Sequence, residues 1–131
     1  MAAKIIVVVD DLIFLSKIQQ TAKLLGIAIE TANPTTLRER LKNLLPSGDM
    51  GAVVLDLNHS SGQAVELLEQ MKNDPATRQV TVVGFLSHVQ TGLAKEARAA
   101  GCDVLLARSA FTQKLPELLQ HYAGIEAAPA P

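Results

Sequence analysis

Residues 4–11 read KIIVVVDD, and residues 52–58 read AVVLDLN. Each is an aliphatic run, rich in β-branched residues, that leads to a carboxylate, Asp10 in the first and Asp56 in the second. A strand with one wet face alternates apolar and polar positions. A run with no polar position fits a strand covered on both faces, as in a parallel sheet between two helical layers. Working outward from these two, with bounds Lys4–Val9 and Ala52–Leu57, three more short runs appear: IAIET at Ile27–Thr31, VTVVGFL at Val80–Leu86 and DVLLA at Asp103–Ala107.

Helical periodicity fills the intervals. Phe14, Ile18, Ala22 and Leu25 form one stripe over Leu12–Leu25, with Gly26 as its stop. Pro34 can open a second helix carrying Leu37, Leu41, Leu44 and Leu45, ended by Pro46, Ser47 and Gly48. Ser60 or Ser61 can cap a third, with Val65, Leu68 and Met71 inward. Leu93, Ala97 and Ala100 mark a short fourth that stops at Gly101. A fifth is expected from Thr112 to Tyr122, where Pro116 is either a kink or the first turn. The order is β-α repeated. Parallel neighbours need right-handed crossover helices, which predicts a doubly wound α/β sheet with two helices on one face and three on the other. Residues 1–123 read as one domain and 124–131 as a disordered Ala/Pro tail.

Composition narrows the function. With 48% hydrophobic residues the chain has mass for a core. A net charge of −1 and 3% aromatic residues argue against a basic or base-stacking nucleic-acid surface. Cys102 is the one cysteine, which rules out an intramolecular disulfide, and it reads as a small buried hydrophobe. No apolar run approaches the roughly 20 residues of a membrane helix, so a cytoplasmic location is expected. No GxGxxG or GxxxxGK loop is present to cradle a nucleotide phosphate.

Open parallel sheets bind ligands at the carboxyl ends of their strands. There the sequence places Asp10 and Asp11 after the first run, Asp56 near the end of the third, Ser87 and His88 after the fourth, and Arg108 after the fifth. Carboxylates that converge repel one another, and a hard cation such as Mg²⁺ relieves this. A carboxylate beside such an ion can attack a phosphoryl group.

These motifs resemble the receiver domain of bacterial two-component response regulators, over residue 4 to about residue 122. VVVDD at 7–11 is similar to the family's acidic pair, and VVLDLN at 53–58 to its phosphoacceptor segment. The resemblance implies a flavodoxin-like sheet of strand order 2-1-3-4-5. It also implies Asp56 as phosphoacceptor, and Mg²⁺ held by Asp10, Asp11, Asp56 and the Asn58 backbone carbonyl. Ser87 would be the strand-four hydroxyl and Arg108 the strand-five cation. The implied donor is a histidine kinase or phosphotransfer protein. Because only about nine residues follow the last helix, output is expected through a partner protein or a homodimer on the helix 4/strand 5/helix 5 face. No direct nucleic-acid or membrane partner and no enzymatic turnover beyond weak self-dephosphorylation are expected.

The chain departs from the pattern at three places. Arg108 and Ser109 stand where receivers carry lysine and proline, and Leu105 where they carry the switch aromatic. Arginine keeps the charge but aims a planar fork, and is expected to pair with Asp56 or Asp11. A phosphorylation-independent pseudo-receiver acting as an interaction module is the alternative. Two weaker likenesses fail on position. His59 and Gly62 in NHSSG resemble the His-x-x-Gly of cobalamin-binding domains, but that motif follows a first strand. Asp-nucleophile phosphatases place Asp-x-Asp after strand one, whereas here the acids are adjacent. His88 and His121 read as solvated.

Overall fold

The structure is a computed structural model that describes residues 3–87 and 90–124. It contains β1 (Lys4–Val8), α1 (Leu12–Leu25), β2 (Ile29–Thr31), α2 (Leu37–Leu44), a 3₁₀ turn (Leu45–Ser47), β3 (Met50–Asp56), α3 (Ala64–Asn73), β4 (Val82–Leu86), α4 (Thr91–Ala99), β5 (Val104–Ala107), α5 (Arg108–Gln113) and α6 (Leu115–Tyr122). All strand pairings are parallel, and the sheet order is β2-β1-β3-β4-β5. This is the doubly wound, flavodoxin-like arrangement expected, but with six helices rather than five, three on each face rather than two and three. No helix of the described residues is long and apolar enough to cross a membrane.

Strand alternation distributes side chains between two cores. Ile6, Val8, Val53 and Leu55 point to one face, where Leu37, Leu41, Leu68, Met71 and Ala97 of α2, α3 and α4 cover them. Ile5, Val7, Val54 and Val83 point to the other, where Phe14 and Ile18 of α1, Phe111 of α5, and Leu115 and Leu119 of α6 close over them. Leu55, Val53, Ile6 and Val7 are each 0% exposed, which is why β1 after Lys4 and β3 before Asp56 carry no polar residue. Gly51 lies hard against the end of α6. A Cβ there would lie 2.0 Å from the carbonyl oxygen of Tyr122, so the start of β3 accepts only glycine without a shift.

Several boundaries differ from the sequence reading. The helix expected from Thr112 is two helices that meet at Lys114. α5 begins at Arg108, and Pro116 lies in the first turn of α6, where its missing N–H costs no bond. β2 starts at Ile29 because the N–H groups of Gly26 and Ile27 turn back to the Ala22 and Lys23 carbonyls and finish α1. Val80 likewise closes a turn onto Thr77 before β4 begins. Pro34 does not open α2. The Asn33 side chain accepts from the N–H groups of Thr35 and Thr36, and the helix follows at Leu37. Neither Ser60 nor Ser61 caps α3. Gln63 occupies that position without a side-chain bond, and Ser60 is committed elsewhere. Residues 125–131, most of the expected tail, and His88 lie outside the described residues.

Candidate functional site

The carboxyl ends of β1, β3 and β5 bring the sequence-selected acids and Arg108 to one rim. Asp56 is the last residue of β3, the central strand, and its side chain is only 3% exposed. Its Oδ1 accepts the Asn58 N–H at 2.8 Å, and its Oδ2 faces Arg108 Nη2 at 3.6 Å. Burial pushes the Asp56 carboxyl above the usual carboxylate range. The Asn58 N–H and the guanidinium act in the opposite direction, and the Asp10 charge adds to the rise.

Asp11 serves α1. Its Oδ1 accepts from the backbone N–H groups of Ile13 and Phe14, a side-chain N-cap, which leaves Oδ2 at 3.8 Å from Arg108 Nη1. One guanidinium therefore spans Asp11 and Asp56. Below it lies an aromatic plate. Arg108 Cζ sits 5.0 Å from the Phe14 ring centroid and 5.8 Å from that of Phe85. Phe14 stacks on Phe85 at 4.8 Å, and Phe111 is 4.8 Å from Phe85. The plate was not anticipated, yet a signal for it exists. Phe14 follows Asp11 by three residues and Phe111 follows Arg108 by three, about one helical turn in each case.

Asp10 turns away from this pair. The Ser60 hydroxyl and N–H donate to it, and the hydroxyl is the main reason its carboxyl lies below the usual range. His59, set aside in the sequence reading, belongs here. Its side chain is 8% exposed, with Nε2 at 3.9 Å from Asp10 Oδ1 and Nδ1 at 2.9 Å from Ser61 Oγ. Asn58 holds the far wall. Its Nδ2 donates to Gln90 Oε1 at 2.6 Å and its Oδ1 accepts the Ser87 N–H at 3.1 Å, which ties the loop after β3 to the loop after β4. Ser87 itself is exposed, at the mouth of a groove between α4 and β5 that Leu105 also lines.

A divalent ion would find hard oxygen donors at this rim, but not in a shared arrangement. Asp11 caps a helix, Asp10 is bonded to Ser60, and a cation already stands between Asp11 and Asp56. Among the described residues no group of three His, Cys, Asp or Glu side chains is placed to hold a metal ion. As they stand, these side chains do not fit the ion. The rim presents a buried carboxylate with one fixed oxygen, and a planar cation facing the other.

No protein-family model matches the chain, and no curated protein matches it by sequence. Solved structures do match it in shape. The phosphorylated cyanobacterial phytochrome response regulator RcpA is 15% identical, with 99% of this chain and 100% of that chain covered and a TM-score of 0.77. A response regulator receiver protein from Burkholderia phymatum is 22% identical over 97% and 99% of the two chains, with a TM-score of 0.72. The Mn²⁺-bound response regulator Rcp1 is 16% identical over 98% and 99%, with a TM-score of 0.74. The fold is that of response-regulator receiver domains.

Proposed function

We propose that this chain is a receiver module in phosphorelay signalling and that Asp56 accepts the phosphoryl group. The observation that carries this reading is the state of Asp56 itself. It ends the central strand, one oxygen is fixed by the Asn58 N–H, and the other is directed at Arg108. In the transfer, Asp56 Oδ2 forms a bond to phosphorus as the bond from phosphorus to the donor breaks. The donor is the phosphoimidazole of a histidine kinase or phosphotransfer protein, and imidazole leaves with the electron pair. Arg108 supplies positive charge where the phosphoryl oxygens arrive, and its fork suits two of them at once. The product is an acyl phosphate, which turns the domain from acceptor to signal. It does so through contacts with an output protein and without turnover of its own. A bacterial, cytoplasmic setting is part of the same proposal.

The test uses acetyl phosphate with the whole chain, with and without Mg²⁺, read by intact mass. One added phosphate is expected, absent in Asp56→Asn and slowed in Arg108→Ala. No adduct under either condition, or one that persists in Asp56→Asn, rejects the reading. A second reading, an interaction module that never takes phosphate, is favoured by one observation: the guanidinium already neutralises Asp56. It predicts no adduct in the same experiment.

A further inference from the structure

One cluster of side chains takes no part in the phosphoacceptor reading. Residues 58–62 read NHSSG, and their turn is closed by the His59 N–H donating to the Asp56 carbonyl and the Gly62 N–H to that of His59, both at 3.0 Å. Within the turn the His59 side chain is enclosed, at 8% exposure, whereas Ser61 is exposed. The backbone fixes the tautomer of the ring. The Ser61 N–H can only donate, and it points at Nδ1 from 3.2 Å, so Nδ1 is the acceptor and the neutral ring carries its proton on Nε2. Nε2 faces Asp10 Oδ1 at 3.9 Å, and Ser60 holds that carboxylate in place with its hydroxyl and N–H. The Ser61 hydroxyl lies 2.9 Å from Nδ1, nearer than the N–H. Its oxygen accepts the Gln63 N–H at 3.2 Å, which leaves the hydroxyl proton for the ring.

We infer that Ser61 is an activated nucleophile, a site of acylation by small activated acyl compounds such as aryl esters, with His59 as its base and Asp10 as the positioning residue. Carboxylate, imidazole and hydroxyl in that order make a serine reactive, because the carboxylate holds the ring with its free lone pair toward the hydroxyl. In the step, Ser61 Oγ bonds to the carbonyl carbon. The bond from that carbon to the leaving oxygen breaks, and the leaving group takes the electron pair. The hydroxyl proton passes to His59 Nδ1 and from there to the leaving oxygen. α3 opens at Ala64 without a side-chain cap, so its first N–H groups lack an intrahelical acceptor. They are donors for the carbonyl oxygen as it gains charge. The product is an ester on an exposed side chain.

The experiment treats the whole chain with p-nitrophenyl acetate near pH 8, above the ordinary imidazole range, and follows acetylation of each serine by peptide mass. Ser16 of α1, also exposed, is the reference within the same molecule. General-base help contributes about 10²–10⁴-fold, so Ser61 should react at least about tenfold faster than Ser16. His59→Gln keeps a polar side chain in the turn without the base, and should bring Ser61 down to the rate of Ser16. Asp10→Asn should slow Ser61 and leave Ser16 unchanged. The nitrogen NMR shifts of the His59 ring in the unaltered chain should show the Nε2–H tautomer, a readout that needs no variant to fold. The inference is overturned if Ser61 reacts no faster than Ser16, if His59→Gln or Asp10→Asn keeps the full rate at Ser61, or if the ring is the Nδ1–H tautomer. Acetylation is read at Ser61 and phosphorylation at Asp56, so the two ideas fail separately.

Discussion

The Asp56–Arg108 pair can be dissected by a double-mutant cycle: Asp56→Asn, Arg108→Gln and the two combined. At 3.6 Å, and with an effective dielectric of about 20, the gross attraction is about 4–5 kcal/mol. Arg108 is 40% exposed and the separation exceeds hydrogen-bond range, so solvent removes much of it, leaving a coupling of about 1–2 kcal/mol. The single variants should differ in sign. Arg108→Gln strands a carboxylate that is 3% exposed and should destabilise the fold by about 1–2 kcal/mol. Asp56→Asn removes a charge whose burial outweighs its partners, as its raised pKa shows, and should be neutral or stabilising by up to about 1 kcal/mol at pH 7. The pH dependence follows from the same sign. With the folded pKa above the unfolded value of about 3.9, ionisation penalises the native state. The penalty is absent below that value and grows as pH rises through the folded pKa. The advantage of Asp56→Asn should therefore be present at pH 7 and gone near pH 3. Urea unfolding followed by far-ultraviolet circular dichroism, with unchanged m values, measures all four proteins. If Arg108→Gln costs the same in both backgrounds, within about 0.5 kcal/mol, the guanidinium is not acting on Asp56 and the reasoning fails.

Two further predictions concern the frame. Gly51→Ala places a methyl 2.0 Å from the Tyr122 carbonyl oxygen, where ordinary contact begins at 3.4 Å, so α6 or β3 must move. The expected cost is about 1–3 kcal/mol, a Tm lower by several degrees, and an unchanged Tm rejects the contact. Glu30 accepts from Arg40 Nε and Nη2 at 2.6 Å each, and this pairing is the main reason its carboxyl lies below the usual range. Its stabilisation is present above the unfolded pKa and lost as pH falls through the folded one. Glu30→Gln should lower Tm at pH 7 and leave it unchanged near pH 2; equal losses at both pH values defeat the pairing argument.

Much of this architecture was readable from residue order because both periods in the chain were clean. The unbroken aliphatic runs of β1 and β3 identified strands covered on two faces, and the residues at the carboxyl ends then identified the rim. Breaks set by local competition were less visible. Asn33 outcompetes Pro34 for the start of α2, because a side-chain amide satisfies two N–H groups while proline only avoids needing one. The division at Lys114 turns on Pro116, which is compatible with either a kink or a first turn until packing decides. At the rim, the positions of the acids followed from strand order, but their partners did not. That Ser60 bonds Asp10 rather than capping α3 depends on a contact spanning fifty residues of sequence. The aromatic plate depends on α1, β4 and α5 meeting, so the spacing of Phe14 from Asp11 and of Phe111 from Arg108 hints at it without showing that the rings touch.

The close approach of Gly51 to Tyr122 has a practical side. Tyr122 is the only tyrosine and the chain has no tryptophan, so its intrinsic ultraviolet emission comes from one ring near the C-terminal end of α6. That ring packs on the α1/α6 core, and burial raises the pKa of its phenol. Asp56 lies five residues further along the same strand from Gly51, about 17 Å away. Tyrosine fluorescence is therefore expected to follow the docking of the last helix rather than events at the acidic rim. A loss of emission that precedes the loss of helical signal would show α6 peeling away from the sheet before the rest of the molecule melts.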